Sequence, residues 1–517
     1  MNVAKNRTSF IVAGLLLGIL VTAMDNTIVA TAMGTIVAQL GGLDKFAWVS
    51  SAYMVTEMAG MPIFGKLSDM YGRKRFFMFG MVLFFMGSIL CGTSQNITQL
   101  IIYRAIQGIG GGALAPIAFT ILFDVVSPEQ RGKMGGMFGA VFGLSSIFGP
   151  LLGAYITDHI DWRWVFYINI PLGVVCFFLV FIFYKESMQH AKERIDWLGV
   201  LTLVPAIGCL MFALQLGGAK YAWNSATIIG LFIVAGVLFA VFLVIEAKVK
   251  EPIVSYKMFG NRLFAGSSLV ALFSGGSYVV AVLFIPIFIQ GVMGGTATNS
   301  GLILLPMMLA SVVASQVGIF MARKLTYRGV MLVFCVIFVA GIYLLGTIGV
   351  DTTRLQITLF MVVVGFGIGA SFSVLSVAAM QPFGMRQRGT ASSTTNFIRE
   401  FAMAVGITVY GIIQKNLFTH HVANAFASQG PLSALAVKFS HSDPHAMLSP
   451  QLRSAIPGPI LVKLTEALSI SIAHTVLWTL IPAGLALILV FVIPKEKMAM
   501  GFGEMEQASP SPPSQVE

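Results

Sequence analysis

Residues 65–75 read Gly65-Lys66-Leu67-Ser68-Asp69-Met70-Tyr71-Gly72-Arg73-Lys74-Arg75, and the chain on either side is almost uncharged. Crossing the hydrocarbon of a bilayer takes about 20 mostly apolar residues. The runs 46–64 and 76–94 each supply that length. The charged stretch between them therefore reads as a tight polar turn joining two membrane helices. Its three consecutive bases place it on the cytoplasmic side, because cytoplasmic loops carry the excess of Lys and Arg.

The rest of the chain repeats this alternation. Only 10% of the 517 residues are charged while 57% are hydrophobic, and mean hydropathy is +0.87. A water-soluble domain needs more charge to cover its surface, so the balance excludes the soluble classes. The net charge of +11 is spread over short clusters between apolar runs. That is a loop pattern and not a nucleic-acid-binding face. Apolar runs lie near 10–32, 46–64, 76–94, 100–123, 134–156, 165–184 and 197–217. Seven more lie near 226–245, 264–290, 300–322, 330–350, 355–380, 390–413 and 470–493, which makes an all-α membrane protein of about fourteen spans. An even count puts both termini on one side. The side shared with residues 65–75, with Lys192 and Arg194, and with Arg323, Lys324 and Arg328 holds the larger share of Lys and Arg, so both termini are expected in the cytoplasm. The N-terminal Lys5 and Arg7 followed by an apolar run imitate a secretory signal, but no small-residue cleavage site follows, and a retained first helix is expected.

Some features lead nowhere chemically. Cys91, Cys176, Cys209 and Cys335 each fall inside an apolar run, too scattered for a metal site or a disulfide framework. Gly108-Ile109-Gly110-Gly111-Gly112-Ala113 matches a dinucleotide fingerprint in form only, inside a membrane span and without a strand or a ribose-binding acid. The stretch 414–469 is expected to be a long outer loop. Its His420, His421, His441 and His445 are expected to be solvated rather than metal-bound. The Ser/Pro-rich tail Ser509–Glu517 is expected to be disordered.

Charges within spans carry more meaning, because each costs about 2.5–3.5 kcal/mol at a helix centre on insertion scales. Asp25 lies in the first span, Glu57 in the second, Arg104 near the start of the fourth, and Arg399 and Glu400 midway along the thirteenth. At ~1.5 Å per residue, Asp25 lies roughly 22 Å and Arg104 roughly 28 Å from the cytoplasmic ends of their helices. That common depth allows them to pair, while Glu57 and Glu400 come nearer the midplane. A poorly hydrated carboxylate resists ionisation and a nearby cation restores it, which is what a proton-coupling site requires. A purely structural ion pair is the other reading of Asp25–Arg104. Arg399 and Glu400, as helix neighbours, point about 100° apart and need not pair. In the fifth span Gly135, Gly139 and Gly143 recur every fourth residue, followed by Gly149-Pro150 and Gly153. That spacing lets helices approach closely, and proline kinks them.

These residues resemble the major facilitator superfamily, specifically its fourteen-helix drug:proton antiporter branch and the multidrug exporters of Gram-positive bacteria. Residues Gly65 to Arg75 are similar to the superfamily's signature loop at nearly every position. The resemblance implies that Asp69 and the basic cluster Arg73, Lys74 and Arg75 latch the cytoplasmic side. Arg104-Ala105-Ile106-Gln107-Gly108 resembles the motif whose arginine is tied to proton coupling. Gly149-Pro150-Leu151-Leu152-Gly153 resembles the antiporter motif of exporters, with Ala154 in place of a second glycine. Met24-Asp25-Asn26-Thr27-Ile28-Val29 and Trp162–Pro171 are similar to segments of the fourteen-helix branch, where the acid at Asp25 couples protons. The implied architecture is two six-helix bundles, at 1–185 and 263–493, separated by a linker and two inserted helices at 186–262 and followed by a tail at 494–517. Gly318, Arg323, Lys324 and Arg328 form a weak echo of the signature loop in the second bundle. Alternating access would be rocking of one bundle against the other.

The expected function is proton-driven export of amphipathic, often cationic, compounds by a monomer in the bacterial cell membrane. No cofactor, metal or nucleic acid is expected; the partners are drugs, protons and lipid. An exporter dedicated to one native metabolite, lipid or antibiotic is the alternative, and an importer is disfavoured by the antiporter motif. A membrane enzyme or receptor is the remaining class. The sequence shows neither a clustered metal site nor a nucleophile–base pair to support it.

Overall fold

The computed structural model describes residues 2–40, 46–126, 137, 141, 144–145, 148–153, 155–157, 159–186, 196–218, 221–249, 252–295, 302–384, 386–426 and 457–498. The first half runs through α1 (Asn2–Leu40), α2 (Phe46–Tyr71), α3 (Arg73–Thr93) and α4 (Ile97–Val125). It continues through the shorter apolar helix α5 (Phe148–Thr157), α6 (Trp164–Tyr167) and α7 (Asn169–Phe183). Two helices follow, α8 (Trp197–Leu216) and α9 (Ala226–Lys248), and then the single turn α10 (Tyr256–Phe259). The second half comprises α11 (Arg262–Gly291), α12 (Leu304–Lys324), α13 (Tyr327–Leu345), α14 (Arg354–Met380), α15 (Arg388–Phe426), α16 (Gly458–Trp478) and α17 (Leu480–Leu489). No β-strand forms among the described residues.

Twelve stretches of described helix are long and apolar enough to cross a membrane. Two of the expected fourteen spans are not among them. The second is the 26-residue helix α2, which carries Glu57, Lys66 and Asp69. The fifth, at 134–156, is described only in part. Gly135, Gly139 and Gly143 lie outside the described residues, as do most of the linker 186–195, His441, His445 and the tail Ser509–Glu517. The expected outer loop 414–469 is helical at both of its ends, since α15 continues to Phe426 and α16 begins at Gly458.

Helix starts follow local chemistry. The first turn of a helix leaves backbone N–H groups unpaired, and a short polar side chain satisfies them. Asn96 accepts from Gln99 N at 2.9 Å to open α4. Asn261 accepts from Leu263 N and Phe264 N to open α11, and Thr353 with Gln356 forms a capping box at α14. Between α2 and α3 the chain turns at Gly72, whose φ of 110° is a conformation that side-chain-bearing residues avoid.

Buried apolar side chains gather into separate cores. Two are built only from residues 11–184 and two only from residues 263–498. A fifth lies across them, where Val55 and Met58 of α2 meet Leu203 and Ile207 of α8 and Phe397 of α15. Cys91, Cys176 and Cys335 are buried as free thiols and Cys209 is half-buried.

Candidate functional site

A polar cluster is buried where α1, α2, α3, α4 and α7 converge. Asp25, in the middle of α1, is fully buried, as is Arg104 of α4. One Arg104 Nη1 hydrogen bonds Asp25 Oδ2 and also Gln107 Oε1 at 2.8 Å. The other Asp25 oxygen accepts from Gln107 Nε2 and Asn169 Nδ2, each at 2.8 Å. Ser88 of α3 supports both amides, accepting from Asn169 at 3.0 Å and from Gln107 at 3.3 Å, and it donates to Phe166 O at 2.8 Å. The Tyr53 ring lies over the guanidinium, 4.1 Å from its centroid, where the negative face of the ring stabilises a cation. Arg104 thus lies against one oxygen of Asp25, while Gln107, Asn169 and Ser88 fix the geometry around the carboxylate. Deleting one member of a buried pair leaves an uncompensated charge, at a cost of about 3–5 kcal/mol.

Glu57 is half-buried, one turn along α2 from Tyr53. Here α4 approaches α2 backbone to backbone. A Cβ on Gly108 would overlap the Tyr53 carbonyl, and one on Gly112 would overlap that of Glu57. The glycines dismissed as a nucleotide motif therefore bring the arginine helix against the glutamate helix. In the second half Arg399 is buried and turned toward α14, donating to Ser371 O at 3.4 Å and lying 5.0 Å from the Phe372 ring centroid. It also donates to Asn396 at 3.3 Å. Glu400, the next residue, is half-buried. The structure brings Asp25 and Arg104 together, and Arg399 bonds instead within the second half, to Ser371 and Asn396.

A second cluster closes the end of the molecule that carries residues 65–75. Asp69, in the last turn of α2, is buried and reaches the first turn of α15. It accepts from Gly389 N at 3.0 Å, Thr390 N at 2.7 Å and Thr390 Oγ1 at 3.1 Å. A carboxylate at a helix N-terminus satisfies unpaired donors and meets the positive end of the helix dipole. Arg73 is fully buried and bonds Asp69 at 3.3 Å and also Asp124 of α4. Asp124 in turn pairs with Arg388 of α15 at 3.7 Å. Gly65 lies against Ser393, and a Cβ at 65 would come within 3.0 Å of Gly389 O. Lys74 Nζ donates to Phe181 O and Tyr184 O, both at 2.7 Å, while Arg75 is exposed. The three bases thus have distinct roles, and only Arg73 enters the junction of the halves. Gly149 and Gly153 of α5 lie against Thr27 and Thr31 of α1, and Pro150 sits between them. In the second-half echo, Arg328 donates to Ile493 O at 2.6 Å and Phe491 O at 2.8 Å, within its own half.

Sequence reasoning did not single out Tyr53, Ser88, Asn169, Asp124, Arg388 or Thr390. Uncharged polar residues inside spans give little signal, and Asp124 and Arg388 sit at span ends, where charge is ordinary. Asn169 and Gln107 stood inside quoted motifs without a role of their own. Among the described residues no group of three or more His, Cys, Asp or Glu could hold a metal ion. His421 does lie near His474, with ring centroids 5.7 Å apart.

Long apolar helices around a buried ion pair, with a polar junction between their two halves at one end, define a multi-pass membrane transporter. The sequence model of the Major Facilitator Superfamily matches residues 15–407, and the chain belongs to that family. It is therefore a transporter and not an enzyme. The chain is 53% identical over 491 residues to Multidrug resistance protein 3 of Bacillus subtilis, covering 95% of this chain and 96% of that one. It is 36% identical over 409 residues to Multidrug transporter protein MdtP of the same organism, covering 79% and 76%. Among solved structures, the proton:xylose symporter XylE bound to 6-bromo-6-deoxy-D-glucose has the same fold. Its TM-score is 0.56 at 15% identity, covering 84% of this chain and 95% of that one.

Proposed function

We propose that this protein exports amphipathic, often cationic, drugs from the bacterial cytoplasm across the plasma membrane in exchange for protons. The buried Asp25–Arg104 pair, with Gln107 and Asn169 on the remaining carboxylate oxygen, is the observation that carries the reading. A carboxylate held beside a cation in a dry site can change protonation as its surroundings rearrange. Glu57, one helix turn from Tyr53, and Glu400, on the opposite half, are the groups to meet a substrate's positive charge. The names of the two Bacillus relatives support drugs as the cargo.

On this reading α2 and the span at 134–156 complete fourteen membrane helices, with both termini in the cytoplasm. Bundles at 1–185 and 263–493 rock about the central site, α8 and α9 belong to the insertion 186–262, and residues 494–517 form a cytoplasmic tail. The Asp69–α15 junction is then the cytoplasmic gate, closed here, and the antiporter motif Gly149, Pro150, Gly153 packs the α1–α5 contact. The protein works as a monomer without a cofactor, since the proton gradient supplies the energy. A charge crossing 100 mV yields about 2.3 kcal/mol and one pH unit about 1.36 kcal/mol. Together these sustain a concentration ratio of a few hundredfold per proton.

The test is proton movement in liposomes containing purified protein under an imposed pH gradient, with a panel of lipophilic cations. The expected result is that drugs dissipate the gradient through the wild type and not through Asp25→Asn. If no drug moves protons through the wild type, the multidrug reading fails. An exporter dedicated to one native compound then takes its place.

A further inference from the structure

Tyr53 lies between Arg104, the partner of Asp25, and Glu57. It is fully buried; its ring covers the Arg104 guanidinium, and its hydroxyl, which makes no hydrogen bond among the described residues, lies beside Gly111 on the side of Glu57. A Cβ on Gly111 would lie 2.6 Å from Tyr53 Oη and 3.6 Å from Glu57 Oε1, so hydroxyl and carboxylate flank one point that only a glycine leaves open. An aromatic ring is rigid, so a displacement of Arg104 against its face moves the hydroxyl with it. Gly108 and Gly112 clamp the backbone of the same turn of α2, which leaves the side chain as the part able to respond.

We propose, on the basis of the antiport reading, that Tyr53 and Gly111 are positioning residues of the coupling site. Tyr53 lies between Glu57 and the Asp25–Arg104 pair, and the bare Cα of Gly111 leaves the room its hydroxyl occupies on the side of Glu57. A cation arriving at Glu57 is thereby felt at Asp25 without touching it. Asp25 from α1, Cys91 from α3 and Arg104 from α4 are the titratable and charged groups around Tyr53 and Arg104. α8, packed on the other side of α2, contributes no charged residue and only Cys209. Arg399 and Glu400 of α15 interact electrostatically with each other.

The experiment measures protons released when tetraphenylphosphonium binds the purified full-length protein in weakly buffered detergent solution, as a function of pH. Wild type is compared with Tyr53→Phe, Gly111→Ala and the double variant, each checked for an unchanged elution profile and melting temperature. Each single substitution is expected to move the midpoint of release by about one pH unit in the same direction, a tenfold change in proton affinity. The double variant is expected to match Tyr53→Phe alone, because phenylalanine has no hydroxyl for the new methyl group to displace. Wild-type midpoints in both single variants, or shifts that add in the double variant, would overturn the inference while leaving antiport standing. Should Gly111→Ala not fold, Tyr53→Phe against wild type decides, since it removes a single oxygen. A wild type that binds the cation and releases no proton would overturn the antiport reading, and this inference with it.

Discussion

Asp25 and Asp69 are both buried carboxylates, and their partners suit them to different tasks. Asp25 is bonded entirely within the first half, by groups from α4 and α7. Asp69 reaches across to the other half, where the first turn of α15 supplies three donors. In Asp69→Asn one oxygen becomes an amide nitrogen that cannot accept, and the charge opposite the helix terminus is lost. Hydrogen bonds to charged groups contribute about 1.5–3 kcal/mol, so the closed state should lose about tenfold or more in relative population. A cysteine replacing the buried Ser393, probed with a membrane-impermeant maleimide in inside-out vesicles, should react several-fold faster in the Asp69→Asn background. Equal rates would remove Asp69 from the latch. Depth along the helices was enough to match Asp25 with Arg104, because helical rise is constant and charge inside a span is rare. The same arithmetic could not reach Asn169 or Thr390: an amide or hydroxyl costs little in a span, and a partner 144 or 321 residues away leaves no local trace.

At the level of helices, spans were easier to recognise than their ends. Hydropathy marks where a helix enters hydrocarbon, but a helix continues while its backbone bonds and side chains allow. α15, with 39 residues, is about 58 Å long at 1.5 Å per residue, nearly twice the ~30 Å hydrocarbon core. Its last turns have a partner. Phe418, Val422 and Phe426 share an apolar core with Ile460 and Leu464 of α16. Lys463 Nζ caps the pair by donating to Ala425 O at 2.9 Å, and Gln414 donates to Ser471 at 3.2 Å. The loop expected over 414–469 is the stretch left between the last two apolar runs, and helices that extend beyond those runs on a shared apolar core are not marked by run length. Leu464 is buried, and Leu464→Ala should cost the seam about 2–5 kcal/mol. Hydrogen exchange at residues 418–426 should accelerate by about thirtyfold or more, with exchange in α1 to α4 unchanged. Protection unchanged at 418–426 would mean that the seam does not hold the extension.

For the whole molecule, the polar contacts joining α2 and α4 to α15 collect at the end that carries residues 65–75, the cytoplasmic end on the orientation proposed above. Gly65 marks the tightest approach, against Ser393 and Gly389 O. Gly65→Leu should wedge the two ends apart. Spin labels at the exposed positions Arg75 and Gln387 should then report a longer, broader distance distribution than in the wild type, with drug transport reduced at least tenfold. A wild-type distribution would mean that the closed gate does not depend on that approach. The repeated spans and the basic turn made the membrane fold readable from sequence, since both are set by what lipid and water each exclude. How the halves meet was less accessible, because Asp124 and Arg388 acquire meaning only once α4 and α15 are adjacent. Arg73 is shared by Asp69 and Asp124, and Asp124 is shared by Arg73 and Arg388, so the halves are joined by two strands of contact with a common member. Redundancy of this kind shapes inheritance: on the export reading proposed above, a lesion in either strand alone should leave partial resistance, lesions in both should be synergistic, and a change at Arg73 should behave as a double lesion in one step.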